Sequence, residues 1–375
     1  MQYFAKWPEY LQKMQIALAG GTAPDLAFMK EPYIYDLSWK GATTDLTDFV
    51  RRSKVVNRTM IAPQYFDLFA FRGEQIAIPF NGPIMALFYN KDLFRDAGLD
   101  PNKPPTTWKE LRDHARALTK PDKNQWGFAV YEYGTREINL IWFLTFFWEA
   151  GGRFWKSDYT GVSLDSPAGV EALEFLVTMI RRDKSTLPPE VPREGLIESN
   201  RIGMWMQGNW AMHNYVKYAP NLNYGVAPLP KHKDYGQYIA SDGLMIPKMT
   251  KKEQREAAWK LIEFLLRPDV NVSFNIKDGF LPVTREALDK PPFTIDPRWK
   301  TFVSTLDVAR PLPMAQGFAE MAETKINPSL QAAMFGKKPV KEALEEATRA
   351  ANEFWVSRGG SRERVRVLEL FKYQP

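Results

Sequence analysis

The sequence predicts an α/β chain of two lobes, and three observations carry that prediction. The opening segments read as strand, helix and strand, an order that implies a parallel sheet flanked by helices. At 375 residues the chain exceeds what one hydrophobic core usually organises, so two lobes are expected. Apolar residues make up 45% and charged residues 25%, a globular composition that can bury a sizeable core.

The elements follow in order. Gln2 to Ala5 reads as the end of a strand. A helix runs from about Pro8 to Ala19, with Leu11, Met14, Ile16 and Leu18 at roughly helical spacing, and Gly20-Gly21 stops it. Leu26 to Met29 is the next strand. Gln75 to Pro79 and Ile84 to Tyr89 are short apolar runs, the second ending in Asn90-Lys91-Asp92. Thr107 is an N-cap with Glu110 three residues on, the signature of a capping box, and Pro104-Pro105 forces an extended approach. That helix should reach Thr119 and be closed by Lys120-Pro121-Asp122. Gly127 to Tyr131 reads as a strand leaving the first lobe. Asn139 to Ala150 has the length and composition of a buried helix, ended by Gly151-Gly152. Further helices are expected over Ala168 to Arg182, Glu253 to Leu266 and Val340 to Phe354, the last with Val340, Ala343, Leu344 and Ala347 in register. Strands are expected over Tyr224 to Ala227, before the turn Pro228-Leu229-Pro230, and over Gly243 to Ile246. No internal repeat or low-complexity stretch is present.

Composition removes several functions. The net charge is +6, but basic and acidic residues alternate, as in Lys251-Lys252-Glu253-Gln254-Arg255-Glu256. A nucleic-acid binder would concentrate its cations in a stripe; the dense basic stretch here is the tail, Arg358 to Arg366, and no nucleic-acid partner is expected. With no cysteine there is neither a disulfide nor a thiolate nucleophile. His114, His213 and His232 fall in no HxH or HExxH spacing, so no metal and no cofactor are expected, and no GxxxxGK[ST] loop is present. The apolar stretch Ile138 to Trp148 is too short to cross a bilayer. The 12 Trp suit stacking against flat ligand faces.

The run Ala19-Gly20-Gly21-Thr22-Ala23-Pro24-Asp25-Leu26 resembles the family 1 extracellular solute-binding proteins of bacterial ABC importers, the group that includes maltose-binding protein. The resemblance returns at Ile78-Pro79, at Phe88-Tyr89-Asn90-Lys91-Asp92-Leu93-Phe94 and at Pro104-Pro105-Thr106-Thr107-Trp108-Lys109-Glu110-Leu111. It continues through Gly151-Gly152, Met206-Gln207-Gly208-Asn209-Trp210 and Val226-Ala227-Pro228-Leu229-Pro230. Ala257 to Leu265 and Gly279-Phe280-Leu281-Pro282-Val283 complete it. Each piece is common alone; their joint order from residue 10 to 355 is specific.

What the resemblance implies is a two-lobed fold of the periplasmic-binding-protein type. Its lobes would be joined by hinge strands and would close on a ligand in the cleft between them. The expected organisation is an N-terminal lobe over 1–128, truncated at its start, and the first part of a C-terminal lobe over 129–240. A hinge return with helices packing across both lobes would occupy 241–355, and a basic tail without assigned role 356–375. The first crossing would fall near 127 to 133 and the return near 240 to 250. The family's first strand and helix, and a signal segment, would precede Gln2, since a βαβ unit needs about 30 residues or more. The implied protein is a monomeric, periplasmic or extracellular receptor, lipid-anchored or free, that works with a membrane permease.

A sugar offers hydroxyls and an apolar ring face, and needs carboxylates, amides or Arg together with an aromatic plate. The resemblance places a stacking tryptophan at Trp210 and a polar contact at Asn81. Glu137 and Asn139 precede the second-lobe helix in a similar place. Asp242 falls where the chain re-enters the cleft, although a turn-forming Asx before Gly243 reads equally well. Arg310, in Ala309-Arg310-Pro311-Leu312-Pro313, is a cleft contact or else a surface charge or interlobe ion pair. Trp142 is a stacking candidate or a core aromatic, and Tyr33 lines the cleft. The expected ligand is a mono- or oligosaccharide, because candidate aromatics and carboxylates outnumber candidate cations. Glycerol phosphate or a phosphodiester held by Arg310 is the alternative. A glycoside hydrolase, with Glu137 and Asp242 as the carboxylate pair, lacks any accompanying motif.

Overall fold

The structure, a computed structural model, describes residues 7–130, 138–191 and 195–365. In chain order the elements used below begin with helix α1 (Trp7–Ala19), strand β1 (Ala27–Lys30), helix α2 (Glu31–Trp39), and strands β2 (Ile78–Pro79) and β3 (Met85–Asn90). Then come helix α3 (Trp108–Leu118), strand β4 (Trp126–Ala129), helices α4 (Ile138–Glu149) and α5 (Pro167–Val177), strand β5 (Ile202–Gly208) and helix α6 (Ala211–Tyr218). Strands β6 (Tyr224–Ala227) and β7 (Asp242–Met245) and helices α7 (Pro268–Asp278) and α8 (Val340–Ser357) follow.

The chain divides into two compact units. The first takes the residues up to Gly82, then Ser241–Phe274 and Pro282–Ala287; the second takes Pro83–Ala240, Asn275–Leu281 and the chain from Leu288 on. The first departure thus falls at Gly82–Pro83, earlier than the 127 to 133 crossing that the sequence suggests. Strand pairing explains the difference. β3 lies between β5 and β6, antiparallel to both, and β4 runs parallel to β5 at the edge, so the stretch from 85 to 129 is tied to strands far later in the chain.

In the first unit, β7 is the middle strand, antiparallel to β1 on one side and to β2 on the other. The parallel pairing expected from a strand at 2–5 lies outside the described residues; the pairs described in this sheet are antiparallel. One face of the sheet is core. Gly243 sits there because a Cβ at that position would come within 2.7 Å of the Phe69 ring and 2.9 Å of Ile34, so only glycine lets α2 and its neighbours lie flat on the strand. Along β1 burial alternates, with Ala27 and Met29 buried and Phe28 and Lys30 partly open, the period-two pattern of a sheet with one face less covered.

In the second unit every residue of β3 and β5 is buried. Phe88 stacks on Trp205 at 5.9 Å and on Tyr224 at 5.8 Å, and the Trp205 indole donates to the Tyr215 hydroxyl at 2.8 Å. Helix α3 starts as its sequence dictates: the Thr107 side chain accepts from the Glu110 amide at 3.3 Å. The Glu110 carboxylate reaches back one residue further than the standard box, to the Thr106 amide and hydroxyl at 2.7 and 2.8 Å. Behind α3, Asp183 accepts from Arg112 at 2.5 and 3.0 Å and from Arg116 at 2.6 Å. Beyond α8 the tail turns back. Val365 bridges Ala315 antiparallel, and with Ala315 it covers the fully buried Trp355, whose indole donates to the Tyr159 carbonyl at 3.0 Å. Among the described residues no helix is long and apolar enough to cross a membrane.

Candidate functional site

The partly open face of the first unit's sheet gathers chemistry that is scattered in the sequence. Lys30 pairs with Asp242 in the β1–β7 register, and the Phe80 amide donates to the Asp242 carbonyl at 2.9 Å. Lys30, Asp242 and Phe80 therefore form one lateral row, whose side chains share a face. Asn81 completes the group. Its amide donates to Asp242 Oδ2 at 2.8 Å, and its Oδ1 accepts from the Asp242 backbone amide, also at 2.8 Å. The Ser241 hydroxyl donates to the Asn81 carbonyl at 2.6 Å, so the three residues form one interlocked turn.

Burial pushes the Asp242 carboxyl above the ordinary carboxylate range, and the Asn81 bond and the Lys30 ammonium pull it partway back. One oxygen takes the Asn81 bond, and the carboxylate retains further acceptor capacity. A carboxylate, an amide and an ammonium beside an aromatic ring can bind a hydroxylated, uncharged solute: acceptors and donors for hydroxyls, and a flat face for carbon. Among the described residues no group of three or more His, Cys, Asp or Glu side chains is placed to hold a metal ion.

In the second unit the partly buried Trp210 stands immediately before α6. Its ring lies so close over Gly208 that a Cβ there would come within 1.8 Å of it. Asn209, fully buried, ties this turn down by exchanging bonds with Ile84: its amide donates to the Ile84 carbonyl at 3.1 Å, and its side chain accepts from the Ile84 amide at 3.3 Å. Phe280 packs at 6.3 Å. Trp210 is thus a plate held from behind.

The remaining candidates take other positions. Arg310, with 13% of its side chain exposed, pairs with Asp234 at 2.5 Å. It also faces Glu149, whose carboxyl burial drives well above the ordinary range while Trp108 Nε1, donating at 2.5 Å, and Arg310 pull it down. Its charge is met within the second unit. Trp142 is 1% exposed: α4 is apolar on all sides, so its aromatics have no solvent face, and Trp142 is a core side chain. Tyr33 lies half-buried in the first turn of α2. Glu137 lies outside the described residues, and Asn139 stands in α4 with its side chain likewise outside the description. The sequence reading missed Lys30 and Phe80. The only signal for them was their place at the ends of short apolar runs.

Comparison with known proteins follows the same line. The family model for bacterial extracellular solute-binding proteins matches residues 3–272. A Brucella abortus protein described as a binding protein is 26% identical over 358 residues, covering 92% of this chain and 83% of that one. The sn-glycerol-3-phosphate-binding periplasmic protein UgpB of Escherichia coli K12 is 26% identical over 297 residues, 75% of this chain and 67% of its own. An ABC transporter solute-binding protein of Thermotoga lettingae, solved with α-D-tagatose, superposes with a TM-score of 0.83 at 25% identity, covering 92% of this chain and 89% of that one. UgpB of Mycobacterium tuberculosis, solved with glycerophosphocholine, gives 0.84 at 20% identity over 96% and 90%, a likeness of fold alone. With the family model matched over most of its length and the two-lobed α/β architecture shared, the chain belongs to the bacterial extracellular solute-binding proteins.

Proposed function

We propose that this chain is the substrate-binding subunit of an ABC importer and that its solute is a neutral sugar, taken up unchanged and passed to a membrane permease. The observation that carries the reading is the row Lys30, Asp242 and Phe80 with Asn81 bonded to Asp242. The carboxylate in this group accepts hydrogen bonds from hydroxyls and offsets the Lys30 charge, so the row carries no net positive charge to draw a phosphate. Trp210, braced over Gly208, is the stacking plate that the second unit offers. A ligand that binds one closed form better shifts the population toward it, which is how such a receptor would signal loading.

Glycerol phosphate is the second reading, favoured by the UgpB relatives. Against it, the charge of Arg310 is already met by Asp234 at 2.5 Å.

A thermal-shift screen tests the choice, using mono-, di- and trisaccharides beside sn-glycerol 3-phosphate and glycerophosphocholine. A sugar at about 100 times its Kd stabilises by roughly 2.7 kcal/mol. The expected result is a clear rise with a sugar, lost in Trp210→Ala and with the sugar recovered intact. A rise confined to phosphate compounds overturns the sugar reading; cleavage of the sugar overturns the receptor reading.

A further inference from the structure

Resting on the sugar reading, we propose that Phe274 is a second platform for the solute, so that the solute is a glycoside at least two rings long. Phe28, Phe80 and Phe274 form a ladder across the first unit. Phe28 meets Phe80 edge-on at 5.7 Å and 86°, and Phe80 meets Phe274 at 6.0 Å and 65°. The middle ring belongs to the row that holds Asp242 and Lys30, so the ladder is continuous with the hydroxyl-binding groups.

The ladder is closed at one end and open at the other. At the Phe28 end, α1 lies over the strand, and the Tyr10 hydroxyl donates to the Phe28 carbonyl at 2.6 Å. At the other end Phe274 is 48% exposed. The helix that carries it is nevertheless anchored. Asn271, one turn earlier on α7 and fully buried, donates to the Phe80 carbonyl at 2.9 Å and accepts from the Val283 amide at 3.0 Å. The same helix face then presents Phe274 beside Phe80.

Single exposed apolar residues are ordinary, but among the described residues Phe274 differs from the other exposed rings. Tyr218, Tyr235 and Phe264 each lie under a cation, Lys217 at 4.8 Å, Lys231 at 5.4 Å and Arg267 at 5.7 Å. Phe274 instead extends an aromatic surface that starts at the binding row. A one-ring sugar engaged by Asp242 and Asn81 fills the reach of Phe80. A second ring, continuing along the ladder toward its open end, covers Phe274 with its carbon face.

The test compares monosaccharides with their disaccharides, glucose with maltose and galactose with melibiose, by isothermal titration on the whole protein, in the wild type and in Phe274→Ser and Phe274→Leu. In the wild type the disaccharide of the recognised sugar is expected to bind about tenfold more tightly than the monosaccharide, the scale of burying half an aromatic side chain. Phe274→Ser should reduce that ratio toward one. Phe274→Leu, which keeps apolar bulk without a flat ring, should retain part of it. Both variants should melt within a few degrees of wild type, because the ring is half in water. A ratio unchanged in Phe274→Ser, equal weakening of both sugars, or a disaccharide no tighter than its monosaccharide overturns the platform while leaving the sugar reading intact. Silence toward every sugar overturns the reading itself, and the platform with it.

Discussion

Replacing Asp242 by Asn separates binding from folding. The substitution preserves shape and one acceptor oxygen for the Asn81 amide, and exchanges the charge and the second acceptor oxygen for an amide NH2. Hydrogen bonds to a charged group contribute about 1.5–3 kcal/mol, so affinity for the best sugar should fall roughly 10- to 150-fold. Stability should move the other way or not at all. Asp242 is 9% exposed and burial raises the pKa of its carboxyl. A carboxyl raised in the folded state supports the fold below its unfolded pKa, and that support is lost as pH rises through the folded value. At neutral pH the charge is therefore a burden on the fold, and Asp242→Asn should melt at or above the wild-type temperature. Titration calorimetry and ligand-free melts from pH 4 to 8 read both quantities. Wild-type binding should weaken as pH falls through the raised value, with no parallel loss of ligand-free stability, and the variant should lose that pH dependence. Unchanged affinity together with a loss of more than about 1 kcal/mol of stability would show that Asp242 is a structural turn residue and not a ligand contact.

Asp183, whose pKa the hydrogen bond from Arg112, with Arg116 beside it, holds down to about 2 from an ordinary 3.8, contributes about 2 kcal/mol to the second unit. Urea melts of Asp183→Ala should show that loss at pH 7, and wild type should lose the same amount as pH falls from about 4 toward 2. Gly208→Ala should fold but swing the Trp210 ring off its support, costing sugar affinity tenfold or more with a change in tryptophan fluorescence. Truncation after Ser357 removes Val365 from Trp355; a red-shifted emission and a loss of about 1–3 kcal/mol are expected, checked by fluorescence-detected urea melts.

The sequence displayed what is local. The Thr107 cap, the apolar α4 run and the Gly20-Gly21 stop are decided within a few residues, and the corresponding helices stand within one or two positions of where they were expected. Strand β5 was missed. Ile202 to Gly208 is buried on both faces and so lacks the alternation that announces a strand. The candidate site was half legible. Asp242, Asn81 and Trp210 sit in recognisable motifs, but Lys30 and Phe80 join them only through a register that couples residue 30 to 242. The role of Arg310 likewise turned on Asp234 and Glu149, neighbours in space and not in sequence.

The placement of β7 at the centre of the first unit's sheet sets the order in which a nascent chain can acquire affinity. Asn81 waits for a partner 161 residues further on, a stretch that a ribosome adds in roughly 8 to 32 s at about 5–20 residues per second. Throughout that interval β1 and β2 lack the strand that joins them, and their free edges invite pairing with other chains. Closing so long a loop also carries an entropic cost that slows folding. The arrangement also means that no N-terminal fragment ending before residue 242 can carry the Asn81–Asp242 pair.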